Sequence, residues 1–278
     1  MQPFAHCEQE LSRQGWTVID LPDAQPVHAA KSYLLETLRG LDGFGEMERL
    51  GDYHRYIRSR EQHFDVSFQV AQSYWQSQLG RKIVEKNLEV FRWLLGPDLL
   101  VQKEPYLRVV RPGQTRDATP LHRDTYYGAS PFEVSVLVPF TEMTAGCGIR
   151  AIRGSHWAAD SVYPFTQHDD PEVVLRSPKH QLGYPYAPRR LEAALEQQTE
   201  SIPASVGQVV LLSLALVHGG GTNSGAETRF STDIRVVNSW APVVVDRGVR
   251  KEYFVPLSES VVTRIGRESM NQKQDVAR

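Results

Sequence analysis

Three side chains in this sequence are of types that can hold a metal ion together. In TPLHRDTYYG, His122 and Asp124 stand two apart, and in an extended strand that spacing points both side chains to one face. His218 closes the apolar run VVLLSLALVH and is followed at once by Gly219, Gly220 and Gly221, which let backbone approach closely. A buried imidazole in such a place needs a partner. An imidazole and a carboxylate joined by a second imidazole form a facial set that leaves three positions of an octahedral iron open, enough for a bidentate 2-oxoacid and dioxygen. Eleven residues past His218, in ETRFSTDIRVV, Arg229 and Ser231 share a strand face. A guanidinium fork with a neighbouring hydroxyl suits the far carboxylate of 2-oxoglutarate. Each feature has an ordinary reading when taken alone: an H-x-D pair recurs by chance, a strand-end histidine can face water, and an arginine commonly sits in a surface ion pair. Their joint occurrence points to the chemistry.

Strands must position these groups. After Pro97 the sequence turns to short β-branched runs separated by RPGQ, TAGCG and HGGGTNSG, which reads as a sandwich or barrel rather than βαβ units. Tyr106 to Val110 alternates, Val134, Val136, Val138 and Phe140 share one strand face, and VVLLSLALVH is long enough for one strand buried on both sides. Before Pro97 the spacing predicts a helix over Val27 to Arg39 and a second over Tyr74 to Leu95, with the stripe Val84, Leu88, Phe91 and Leu95 packed in the core. GDYHRYIRSREQHFD, between them, lacks a period and reads as an irregular segment. Ala158 to Ser205 reads as an insertion between strands, with a short helix near Arg190 to Gln198, and the polar tail RESMNQKQDVAR is expected to fray.

The composition fits a globular chain, with 41% hydrophobic and 23% charged residues in a length of 278. A net charge of -2 supplies no field for nucleic acid or an acidic membrane, and neither is expected as a partner. No secretion signal and no apolar run of spanning length is evident, and two cysteines make no disulfide framework, so a reducing cytoplasm is the expected location.

The succession PLHRD, VPFTEMT, AIRGSHW, VHGGGTN and TRFS, between Tyr106 and Pro242, resembles the phytanoyl-CoA dioxygenase family of Fe(II)/2-oxoglutarate oxygenases. The resemblance implies a double-stranded β-helix, a mainly β jelly-roll with flanking helices. It would occupy a single domain over 1–278, with helical support to about residue 97 and the jelly-roll core over about 98–256. It implies Fe(II), 2-oxoglutarate and dioxygen as cofactor and co-substrates, with His122, Asp124 and His218 as ligands and Arg229 as the co-substrate anchor. Asn223 is expected to shape the site, and Phe140 and Tyr106 are assigned to the co-substrate side. The implied reaction is hydroxylation of a small polar metabolite or natural-product intermediate with release of succinate and CO2; desaturation, ring formation and epimerisation use the same oxidant. Retention of Asp124 disfavours a halogenase, whose halide needs that place on the iron. The family's turn before the distal strand reads GCGI and RGSH here, and His156 is read as a structural turn residue. No acyl-CoA site is recognisable, so that substrate is not carried over.

Two rival classes are a catalytically silent jelly-roll binding protein and a cupin-like metal-dependent isomerase or hydrolase. The second has no use for the Arg229–Ser231 clamp. Tyr126, Tyr127 and the 43–66 segment are the expected substrate neighbours. Strand parity also turns Arg235 inward, where it either pairs with Asp233 or Glu133 or holds an anionic group of the substrate.

Overall fold

The computed structural model describes residues 4–167, 173–174, 177–184, 188–242 and 252–276. Among them run strands β1 (Trp16–Asp20), β2 (Leu99–Gln102), β3 (Tyr106–Val110), β4 (Glu133–Pro139), β5 (Ile149–Ala151), β6 (Thr166–Gln167), β7 (Arg189–Arg190), β8 (Glu200–Ile202), β9 (Gln208–Ser213), β10 (His218–Gly220), β11 (Arg229–Asn238) and β12 (Phe254–Ser258). The helices are α1 (Ala5–Gln14), α2 (Gln25–Arg39), α3 (Arg60–Ser77), α4 (Leu79–Lys86), α5 (Leu88–Leu95), α6 (Pro178–Gln181) and α7 (Val261–Val276). The large sheet has the order β1-β9-β4-β11-β2-β12, with β3 also on β11, and the small sheet has the order β10-β5-β8. Their pairings are antiparallel, and the two sheets form the jelly-roll that the family resemblance implies.

Alternation along the strands sets the layers. Phe230, Ile234 and Val236 of β11, with Val134, Val136 and Val138 of β4 and Val209 and Leu211 of β9, face the helices and share one apolar core with Leu34, Leu38, Phe64, Tyr74 and Phe91. Leu137, Val210, Leu212 and Trp16 face the other way and close on Ile149, Ala151 and Ile202 of the small sheet. Each fully buried aliphatic or aromatic side chain contributes about 1.5–3 kcal/mol, so the helical layer holds the large sheet from behind while its other face is left to polar residues near the site. The helical support expected to end near residue 97 also contains β1, which pairs with β9 at an edge of the large sheet.

Helix α2 covers the segment expected to be helical, but the segment over Tyr74 to Leu95 is broken into three helices. Gln78 takes a left-handed conformation between α3 and α4, and the Asn87 side chain donates to Ile83 O and Asp23 O where α4 ends. GDYHRYIRSREQHFD is not irregular: it contains a 3-10 helix, Leu50–Arg55, and the start of α3, capped where Ser59 Oγ accepts from Gln62 N. Its period was hidden because His63 and Ser67 are polar yet lie on the buried face, where Tyr53 meets both. VVLLSLALVH is also not one strand. Chain direction changes after Ser213, Leu216 N donates to Ser213 O, and β10 joins the other sheet. Residues 267–276 of the tail expected to fray continue α7, whose entry is fixed by Ser260 N donating to Asp98 Oδ1 and Thr263 N donating to Ser260 Oγ, and the last two residues lie outside the described residues. Within the expected insertion, Ala193–Gln198 forms a 3-10 helix.

Candidate active site

His122 and His218 are cross-strand partners. Each backbone N–H donates to the other's carbonyl at 2.9 Å, which places the residues directly opposite with both side chains on one face. Their ring centroids are 4.6 Å apart. Gly219 permits this approach: a Cβ there would stand 2.8 Å from Thr119 O and 3.0 Å from Pro120 C. Past Arg123 the chain leaves the extended conformation, and Asp124 begins a 3-10 turn, Asp124–Tyr127. The H-x-D pair thus straddles a strand-to-turn junction, and Asp124 Oδ1 lies 3.6 Å from His122 Nε2 while Oδ2 lies 3.7 Å from His218 Nε2.

Second contacts leave these atoms ready for a cation. Pro120 O, 2.8 Å from His122 Nδ1, and Leu216 O, 3.0 Å from His218 Nδ1, can only accept, so both rings carry hydrogen on Nδ1 and present the Nε2 lone pair to the site. Burial, reinforced by His122, pulls His218 down to about 4 against the opposing pull of Asp124, so it is a neutral donor near pH 7. The three ligand atoms lie within 4.8 Å of one another. Asp124 Oδ2 is buried without a hydrogen-bond partner, and its charge is met by Arg235 Nη2 at 2.9 Å. Burial alone would raise the Asp124 carboxyl, but Arg235 and the imidazoles outweigh it and hold the group well below the usual carboxylate range. This donor set fits Fe(II).

The inner face of β11 carries Arg229, Ser231, Asp233 and Arg235 in succession. Arg229 lies 4% exposed, with Nη1 donating to Cys147 O at 2.8 Å and Nε unpartnered; Ser231 Oγ is likewise buried and unpartnered. Burial lowers the Arg229 guanidinium from its ordinary value, as expected for a desolvated cation with no carboxylate in contact. The buried Arg229 Nε and Ser231 Oγ fit the far carboxylate of 2-oxoglutarate; Arg229 lines the same cavity as the three ligands, whereas Ser231, two positions further along β11, is not in the lining. Ser135, Leu137, Leu212 and Ile149 complete a wall that is polar toward β11 and apolar toward the small sheet.

Other expected site residues are placed differently. Phe140 is not in the cavity lining: it follows the Val134, Val136, Val138 face of β4, and its ring meets Tyr74 edge-on at 5.9 Å within the helical layer. Tyr106 is also outside the lining; its ring lies under the Arg108 guanidinium, and its hydroxyl meets that of Tyr253 at 3.5 Å. Asn223 shapes the turn after β10, donating to Val110 O and Glu227 O and accepting from Gly225 N. Tyr127 meets the His122 ring edge-on at 5.7 Å and accepts from Arg189 N, whereas Tyr126 is buried and donates to Tyr163 O. The 43–66 segment does not line the cavity; Phe44, Met47, Leu50, Tyr53 and Phe64 are core residues. His156 lies in a 3-10 turn, with Nε2 near Ser12 O.

The ion pair of Arg235 differs from expectation. Arg235 pairs with neither Asp233 nor Glu133 but with Asp124, because Asp233 Oδ2 is taken by Arg108 Nε at 2.9 Å and Glu133 Oε1 accepts from Ser130 N. Arg123 reaches away from the cavity to Asp160, Ser155 O and Ala158 O, and Arg150 is exposed.

A jelly-roll whose two sheets enclose a two-histidine, one-carboxylate cluster beside a buried arginine with no carboxylate in contact is the arrangement of a non-haem Fe(II)/2-oxoglutarate-dependent oxygenase. The family model described as phytanoyl-CoA dioxygenase (PhyH) matches residues 32–231, and the chain belongs to that family. Members use Fe(II), 2-oxoglutarate and dioxygen. No curated protein sequence matches the chain. Among solved structures, apo EctD from S. alaskensis aligns with a TM-score of 0.55 at 16% identity, over 91% of this chain and 83% of that one. The same protein with 2-oxoglutarate and 5-hydroxyectoine gives 0.51 at 17% identity, over 89% and 80%. A nickel complex of the non-haem monooxygenase ThoJ gives 0.51 at 15% identity, over 91% and 83%. At these identities the likeness is one of fold. No helix among the described residues is long and apolar enough to cross a membrane.

Proposed function

We propose that this protein hydroxylates a small polar metabolite or natural-product intermediate, R–H + 2-oxoglutarate + O2 giving R–OH + succinate + CO2. The observation that supports it most is the Asp124 carboxylate facing both Nε2 atoms in the cavity that is also lined by the buried Arg229, whose Nε has no partner. When bound, iron supplies the activation of dioxygen coupled to oxidative decarboxylation of the co-substrate. His122 and His218 hold their Nε2 lone pairs on it through the Nδ1–H donations to Pro120 O and Leu216 O, and Asp124 supplies the anionic donor. Arg229 and Ser231 bind and orient the far carboxylate of 2-oxoglutarate, which sets the direction of its reacting end. Leu137, Leu212 and Ile149 exclude water from one side of the reacting centre. Tyr127, edge-on against the His122 ring and partly exposed, is the tyrosine that would touch substrate.

The test is a metabolite library incubated with the Fe(II)-loaded protein, ascorbate, 2-oxoglutarate and 18O2. A product that gains one labelled oxygen atom, formed one for one with succinate, is the expected result. A coupled product that has lost two hydrogens, or that is an isomer of its precursor, would replace hydroxylation with desaturation or epimerisation.

A further inference from the structure

The cavity lining carries Arg108, Arg229 and Arg235 against Asp124 and Asp233. Arg108 and Asp233 neutralise each other at 2.9 Å, and Arg108 Nη1 is further held by Leu182 O and Gly183 O. In the oxygenase reading, on which this inference rests, Arg229 is matched by the far carboxylate of the co-substrate. The Asp124 charge and the other co-substrate carboxylate are matched by the divalent metal. Among the described residues of the lining, Arg235 is then the cation left without a carboxylate of its own, since it shares Asp124 with the metal. It is 5% exposed, its Nη2 touches Asp124 Oδ2, and its Nη1 is buried with no hydrogen-bond partner. A desolvated guanidinium that shares its carboxylate with a metal is left short of negative charge, which an anionic oxygen arriving in the cavity would supply. Ser135 stands directly across the sheet from Arg235 and adds a hydroxyl on the same face.

We propose that Arg235 Nη1 receives an acidic group of the substrate, a carboxylate or a phosphate. The substrate is then a small acid, and because Arg235 also grips the metal-binding carboxylate, the carbon presented for oxidation is close to that acidic group rather than at the far end of a long chain.

The test uses acetate, inorganic phosphate and sulfate as probes, with acetamide as the neutral control, added to the Ni(II)- and 2-oxoglutarate-loaded full chain. Binding is read from the shift in melting temperature with probe concentration. At least one anion is expected to bind wild type while acetamide does not, with its Kd raised tenfold or more in both Arg235→Met and Arg235→Lys. The lysine variant keeps a cation beside Asp124, so its loss of binding separates the absent Nη1 contact from a failure to fold. No binding by any of the three anions, equal binding by acetamide, or unchanged Kd in the folded lysine variant would overturn the proposal. So would weaker 2-oxoglutarate binding in that variant with anion binding intact, since Nη1 would then serve the co-substrate. Failure of the oxygenase reading shows separately, as absence of succinate formation by the Fe(II)-loaded wild type.

Discussion

Arg235 Nη2 lies 2.9 Å from Asp124 Oδ2, so the carboxylate that faces both histidines is also half of a buried ion pair. Burial would lower the arginine's affinity for its proton, but Asp124 outweighs burial and raises it. Neither group is well solvated alone. Replacing Asp124 by Asn, which has nearly the same shape, leaves a buried guanidinium without its partner and should destabilise the metal-free protein by about 3 kcal/mol. Urea unfolding of the metal-free Asp124→Asn variant measures this; an unchanged midpoint would mean that the pair is not held in solution.

The co-substrate clamp predicts a different pattern. Arg229→Ala removes a charge-assisted contact worth about 1.5–3 kcal/mol, which corresponds to a 2-oxoglutarate requirement raised roughly ten- to hundredfold. The iron requirement should change little, because Arg229 touches none of the three ligands. Titrations of succinate formation against each component separate the two, and an equal rise in both would remove Arg229 from the clamp.

Gly219 and Gly221 should respond unequally to the same substitution. A Cβ at Gly219 would press on the backbone of Thr119 and Pro120, driving β10 away from the segment that carries His122. A Cβ at Gly221 meets only the Arg150 side chain, at 3.2 Å, and Arg150 is exposed and able to yield. Calorimetric titration with Ni(II) should show affinity lowered about tenfold or more in Gly219→Ala, about 1.4 kcal/mol, and nearly unchanged in Gly221→Ala.

Stability should depend on pH through His63. Burial, aided by Arg111 and Arg60, lowers His63 from 6.5 to about 4 although Asp117 pulls the other way. Between those values the unfolded chain binds a proton that the folded chain does not, so His63 adds stability that is fully present above about 6.5 and is lost as pH falls toward 4. The slope is up to about 1.4 kcal/mol per pH unit. Urea midpoints measured across this window should fall less steeply in His63→Gln, and identical slopes would exclude His63 as the source.

The metal set was legible because its signals are local: two residues of an H-x-D pair, and a histidine placed at the end of an apolar run before three glycines. Parity along ETRFSTDIRVV placed Arg229, Ser231 and Arg235 in one phase of the strand, and the two arginines line the cavity while Ser231 does not. The identity of ion-pair partners was not legible, because Arg108 and Asp233 lie 125 positions apart and Arg235 of β11 meets Asp124 at the start of a distant 3-10 turn. Phe140 shows the opposite case. Its phase with Val134, Val136 and Val138 already put it on the apolar face of β4, and the cavity is lined by Ser135 and Leu137 of the other face. Turns within apolar sequence were invisible for a related reason: Leu214, Leu216 and Val217 are fully buried at the corner between sheets, so hydrophobicity does not fall where VVLLSLALVH changes direction. The 3-10 helix and first turn of α3 were hidden by His63 and Ser67, polar residues satisfied inside the core.

The central claim is that His122, Asp124 and His218 hold an iron that turns over 2-oxoglutarate. The most direct measurement is succinate formed from 2-oxoglutarate, Fe(II), ascorbate and air by wild type and by His218→Ala, with Fe(II) binding measured in parallel. Wild type should bind one Fe(II) per chain and form succinate, and the variant should lose both, since two remaining ligands hold a labile metal poorly. Succinate formation undiminished in a folded His218→Ala variant, or a wild type that binds no iron and forms no succinate, would contradict the account.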